Sequence, residues 1–283
     1  MSAWLPVAPC TPATCVEPSR AAVAAPRAVL RLAAVAVLLL AAVAVVLTPV
    51  RRRVPAAVVA HWSRWVVRAA GVRVRVTGAA PPAGGLLLVA NHISWLDIPL
   101  LAAVRPARML AKKEIRHWPV AGALAARGGV LFIERDRLRA LPDTVAALAL
   151  ALRTGAAVAA FPEGSTWCGR AHGAYRRAVF QAALDAEVPV QPVRLRYRAR
   201  EREREVSTAA AFVGADTLLA SVWRVASARG LTAEVEVCPV VPAGRHLDRR
   251  SLAEAAEAAR WTPPPGVPHG HQGKAPSKSM RVL

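Results

Sequence analysis

The chain has 283 residues, is 54% hydrophobic and carries a formal charge of +20, with a mean hydropathy of +0.31. Cationic and apolar together imply an anionic partner surface, either nucleic acid or anionic lipid. Aromatics are only 5% and no zinc-finger or RNA-binding signature is present, so nucleic acid is not expected and membrane lipid is.

The first 27 residues form a Pro/Thr/Ala-rich leader that is expected to be disordered. It holds Cys10 and Cys15. Together with Cys168 and Cys238 these show no metal-ligand spacing, and free thiols in a reducing compartment are expected.

From Leu32 to Val50, "LAAVAVLLLAAVAVVLTPV", nineteen residues carry no charge. As a helix this run measures about 28 Å, enough to cross a hydrocarbon core. Residues 28–50 are therefore assigned to a membrane-embedded helix. A signal peptide is the competing reading, but the run starts late and is too long. Arg27 and Arg31 before it and Arg51 to Arg53 after it favour a cytoplasmic C-terminal side.

Residues 54–70 predict an amphipathic interfacial helix. Trp62, Trp65, Val66 and Ala69 share one face, and His61, Arg64 and Arg68 the other. Packing of that apolar face on the following domain is a second reading, and the two are compatible.

Residues 71–245 alternate between strand and helix patterns. Strands are expected at 72–76, 86–90, "RMLAKK", 129–134, 156–161, "VPVQPVRLRY" and "AEVEVCPVV". Helices are expected at about 95–104, 117–126, 140–153, from the loop after Gly173 to about 187, and at 217–228. This order implies an α/β fold with a largely parallel sheet covered by helices. Arginines 194, 196, 198 and 200 alternate with apolar residues, which reads as a solvated strand edge. A short helix and a disordered Pro/Gly-rich tail are expected over 246–283, with His269 and His271 inert.

Three polar clusters follow strands in this scheme. "NHISWLD" follows "LLLVA", "ERDR" follows "GVLFI", and "PEGSTW" follows "AAVAAF". In parallel strands all three meet on one edge, where ligands collect in α/β sheets. His92 and Asp97 can touch only if His92 lies in the turn before the helix, since five helical positions leave them on different faces. A capping box, with Ser94 as N-cap and Asp97 three positions on, is the alternative role for the aspartate. Glu163 and Gly164 follow a buried strand, where a carboxylate and close backbone approach suit ligand binding; a plain turn is the other reading. Arg135 and Arg137 stand at a strand end, where a guanidinium can hold a phosphate in two-pronged fashion.

Together these motifs resemble the glycerophospholipid acyltransferases of the lysophosphatidic acid acyltransferase type. That family carries H-x-x-x-x-D, G-x-x-F-I-x-R, F-P-E-G and V-P-(hydrophobic)-x-P in this order. Here they are His92 to Asp97, Gly129 to Arg135, Phe161 to Gly164 and Val188 to Pro192. The resemblance covers about Trp62 to Pro242. It implies acyl transfer from acyl-CoA or acyl carrier protein to a lysophospholipid hydroxyl, without cofactor or metal. It further implies that His92 is the general base and Asp97 its orienting carboxylate, with Arg135, Glu163, Gly164 and Ser165 binding substrate. Many members read F-P-E-G-T-R, whereas this chain has Ser165 and Thr166 after the glycine. Arg170 or Arg137 would then supply the missing cation, or the acceptor would be another lyso-lipid such as lyso-ornithine lipid.

Overall fold

The computed structural model describes residues 7–17, 21–49, 54–117, 121–134, 137–200 and 202–259. Arg51 to Arg53, Arg135 and the whole tail from 260 lie outside these. The helices are α1 (Pro12–Cys15), α2 (Ala21–Leu47), α3 (Ala56–Ala69), α4 (Asp97–Val104), α5 (Ala121–Arg127), α6 (Leu141–Arg153), α7 (Ala178–Asp185), α8 (Leu218–Ser227) and α9 (Arg249–Ala259). The strands are β1 (Arg73–Gly78), β2 (Leu86–Ala90), β3 (Arg108–Lys112), β4 (Leu131–Ile133), β5 (Ala157–Ala160), β6 (Val190–Ala199), β7 (Arg202–Val206) and β8 (Leu231–Val237).

The strands form one sheet in the order β1-β8-β6-β2-β5-β3-β4, with β7 on β6. β6 runs antiparallel to β7 and β8, and every other pairing is parallel. β2 is fully buried along its length, as a continuous apolar run in the middle of a covered sheet should be. Its side chains alternate between two cores. Leu86, Leu88 and Ala90 join Val67, Leu100, Leu101 and Val225 from α3, α4 and α8. Leu87 and Val89 join Leu148, Leu152, Phe180 and Leu252 from α6, α7 and α9. Each such leucine contributes about 1.5–3 kcal/mol of burial, so the middle of the sheet is the most strongly held part of the fold.

The charged strand β6 departs from the expectation of a solvated edge. It lies between β2 and β8, where Arg194 stands opposite Glu236 and Arg196 opposite Glu234. Arg194 pairs with Glu236, and Arg198 Nε lies 2.7 Å from Glu234. Those glutamates come from a strand some 40 residues later, so the neutralising partners are invisible in the local pattern.

The N-terminal region also departs from expectation. α2 begins at Ala21 rather than 28, continuing through Pro26. Arg31 Nη1 donates to the carbonyls of Ala226 and Ala228 at 2.8 and 2.7 Å, and Arg27 Nη2 to Ser227 at 2.9 Å. Two cations therefore sit on the carbonyl end of α8, where the helix dipole favours them. Gly71 has φ +87°, and a Cβ there would strike the Arg31 guanidinium. Residues 7–17 of the leader are packed on the domain, with Cys10 buried and its thiol pushed up to about 12 by desolvation. Glu17 fastens them, bonding to Arg170, the Ser207 hydroxyl and Thr208.

α2 lies beside α3, and the Trp62 indole N–H donates to the Leu38 carbonyl at 3.2 Å. The buried stripe of α3 is Ser63, Val66 and Val67, so the helix packs on the domain through a face that shares only Val66 with the expected apolar one. Trp65 is outside that stripe and 59% exposed. The other flank of α2 is bare, with Leu30, Val37, Leu40 and Leu47 all more than half exposed. By length and composition, Ala24–Leu47 is apolar enough to cross a membrane.

Candidate active site

β2 delivers His92 two residues past its end, and α4 begins with Asp97. The turn between them lets the two side chains meet: His92 Nδ1 is 2.9 Å from Asp97 Oδ2. The alternative capping role is half met: Asp97 reaches back to the Ser94 N–H, while Ser94 Oγ accepts from the Leu96 N–H at 3.3 Å rather than from that of Asp97. Leu96, next before α4, has no side-chain cap bond of its own. Asp97 Oδ2 accepts the backbone N–H groups of Ile93 and Ser94 at 2.6 and 2.8 Å.

Asp97 is wholly buried, and its second oxygen is also taken. Tyr197 from β6 donates its hydroxyl to Oδ1 at 2.6 Å. A carboxylate collecting three donors besides the imidazole acts as acceptor throughout. His92 Nδ1 must then carry the proton, leaving the Nε2 lone pair for a substrate. Burial, followed by the Asp97 charge, raises Tyr197 well above the usual phenol range, so it remains a donor. His92 itself keeps 21% of its side chain exposed.

The loop after β5 supports the same histidine. Phe161 stacks on the imidazole, with ring centroids 3.9 Å apart and planes 9° apart. Glu163 is buried, and its Oε2 accepts the His92 backbone N–H at 2.9 Å. The Trp167 N–H closes on the His92 carbonyl at 2.7 Å. The carboxylate read as a ligand group thus grips the histidine's own peptide. Gly164, at φ +73°, makes the turn that returns the chain, with its N–H on the Phe161 carbonyl. Asn91 links β2 to β6 through two bonds with Leu195, at 3.0 and 2.8 Å.

Next to the Glu163 that holds the His92 peptide lies a cavity of about 490 Å³, lined by Glu163, Ser165, Trp167, Tyr175, Arg176 and Arg177 among others but by neither His92 nor Asp97. Glu163 belongs to both the histidine and the cavity wall. The two arginines expected to replace the missing cation are engaged elsewhere: Arg170 lies 3.0 Å from Glu17, and Arg137 lies 3.8 Å from Glu134. Arg176 and Arg177 take the position beside the cavity, and the Arg176 N–H is held on the Pro162 carbonyl at 2.9 Å. Arg135 follows β4 and lies outside the described residues.

A family model described as "Acyltransferase" matches residues 72–196. A lyso-ornithine lipid O-acyltransferase of Pseudomonas aeruginosa is 36% identical over 215 residues, covering 75% of this chain and 79% of that one. A 1-acyl-sn-glycerol-3-phosphate acyltransferase of Neisseria meningitidis is 36% identical over 195 residues, covering 69% and 75%. Among solved structures, the 1-acyl-sn-glycerophosphate acyltransferase PlsC of Thermotoga maritima shares the fold. Its TM-score is 0.53 at 18% identity, over 83% of this chain and 95% of that one. The protein is an acyltransferase. It belongs to the family that acylates lysophosphatidic acid and related lyso-lipids.

Proposed function

We propose that this chain transfers a fatty acyl group from acyl-CoA or acyl carrier protein to the free hydroxyl of 1-acyl-sn-glycerol-3-phosphate, giving phosphatidic acid. The carrying observation is His92 held through Nδ1 on a buried, fully bonded Asp97. The free Nε2 removes the hydroxyl proton as the oxygen attacks the thioester carbonyl. Asp97 stabilises the imidazolium that results. Collapse of the tetrahedral intermediate breaks the C–S bond, and the same proton passes to the departing thiolate. Arg176 and Arg177 supply positive charge for the acceptor's phosphate, with Ser165 on the same wall. By the family resemblance, Arg135 would add a further cation.

A second reading is a lyso-ornithine lipid acceptor. Thr166 stands where many relatives of the phosphatidic acid type carry arginine, and a relative with that acceptor in its name covers three-quarters of this chain. In both readings the protein acts at the cell membrane. The bare flank of α2 and the exposed Trp65 meet lipid, and the catalytic domain lies on the cytoplasmic side.

The test is a panel of lyso-lipid acceptors with a labelled acyl thioester, comparing wild type with His92→Ala. The expected result is transfer to lysophosphatidic acid in preference to zwitterionic or amino-acid acceptors, with a loss of about 10²–10⁴-fold in the variant. Wild-type rates in His92→Ala would overturn the base assignment. Preference for lyso-ornithine lipid would move the acceptor to the second reading.

A further inference from the structure

The chain has four cysteines, and three of them converge. The Sγ atoms of Cys10, Cys15 and Cys168 all lie within 4.8 Å of one another. Cys10 and Cys168 are buried, and Cys15 is partly open. Two come from the leader, Cys10 just before α1 and Cys15 as its last residue, and the third from the loop that follows Phe161–Gly164. Cys238 is buried elsewhere.

We propose that Cys10, Cys15 and Cys168 form a binding site for one thiophilic d¹⁰ cation, Zn²⁺ or Cu⁺, which fastens the leader to the active-site loop. Sulfurs about 2.3 Å from a tetrahedral zinc stand about 3.8 Å apart, so closing this triangle takes small side-chain movements. A disulfide would join only two of the sulfurs at about 2.05 Å and leave the third unused. Thiolates favour d¹⁰ ions over hard cations. Each coordinated thiol releases its proton to solvent. With zinc, three sulfurs leave one position for water, and the half-open Cys15 marks the side from which it enters. With Cu⁺ the three sulfurs complete a trigonal site. The Thr14 hydroxyl lies 3.5 Å from Cys15 Sγ, within reach to support that sulfur once ionised.

The location gives the cation a structural consequence. Trp167, the neighbour of Cys168, holds the His92 carbonyl and lines the cavity, as does Val7 of the leader. A cation on the three sulfurs holds residues 7–17 as a strap along that wall. Glu17, bonded to Arg170 and Ser207, is its second fastening.

The experiment uses the full chain, reduced and stripped with chelator, titrated separately with Zn²⁺ and Cu⁺ against a chromophoric competitor. One ion per chain is expected in wild type and in Cys238→Ser. Affinity is expected to fall by about 100-fold or more in Cys10→Ser and in Cys15→Ser. Cys15 is partly exposed, so its variant keeps the fold. Bound ion is also expected to slow proteolysis within the leader in wild type, but not in Cys15→Ser. The zinc and copper arms decide which cation is held. Absence of saturable binding by both ions, equal affinity in Cys15→Ser, or a Cys10–Cys168 disulfide in freshly purified protein would overturn the proposal.

Discussion

The Tyr197 hydroxyl reaches Asp97 Oδ1 at 2.6 Å, joining the middle of β6 to the first residue of α4. Both groups are completely buried. Of the donors on Asp97, this is the one brought from a distant strand, because the Ile93, Ser94 and His92 bonds arise within five residues. Removing it leaves a buried carboxylate oxygen short of a partner. In Tyr197→Phe, kcat is expected to fall about tenfold with KM nearly unchanged, since on the proposed route the aspartate orients the base rather than touching substrate. Unfolding free energy should drop by about 2 kcal/mol. Steady-state kinetics and chemical unfolding in detergent check both.

The same tyrosine makes stability depend on alkaline pH. Burial and the Asp97 charge raise its pKa well above 10.0 in the folded chain, while the unfolded chain titrates near that value. The folded state therefore holds the proton more tightly. Its contribution is complete below pH 10 and is lost as pH rises beyond it, by at most about 1.4 kcal/mol per pH unit. Unfolding midpoints measured on both sides of that pH should decline in wild type and decline less steeply in Tyr197→Phe.

Arg176 and Arg177 are exposed on the cavity wall. Replacing both with alanine is expected to raise KM for an anionic acceptor by about tenfold, as one or two charge-assisted contacts disappear. The change for an uncharged acceptor should be small, and the fold should persist. Kinetics with lysophosphatidic acid and with monoacylglycerol compare the two acceptors.

Arg194 is 8% exposed at its side chain and pairs with Glu236 across β6 and β8. Breaking such a pair from one side removes the carboxylate that faces a largely buried cation. Glu236→Gln is expected to destabilise the protein by about 3 kcal/mol, with the acyl-transfer rate of the folded fraction retained. Thermal unfolding and activity at low temperature separate these effects.

The parts of this architecture that local pattern exposes are those whose causes are local. "LLLVA" is apolar at every position because β2 has a core on each face, and His92 and Asp97 meet across a five-residue turn. Tyr197 is not legible because it lies 100 positions from its partner, inside a run dominated by arginine. The same distance explains β6: its glutamate partners lie on β8, so a neutralised inner strand looked like a charged rim. The thiol triangle depends on a contact between the leader and residue 168, which no spacing rule encodes. Glu163 was legible as important, but its grip on the His92 peptide required knowing that β2 and β5 are neighbours.

The Phe161 ring lies flat against His92 while Asp97 secures one edge of the imidazole. Clamped in this way, an imidazole acting as the proposed base cannot swing from one reactant to another. On the route described above, alcohol oxygen and thioester sulfur must both come within reach of a single nitrogen during one visit. Donor and acceptor then have to occupy the enzyme together. The kinetic signature of that requirement is a family of intersecting double-reciprocal lines, with no acylated enzyme accumulating when the acceptor is withheld.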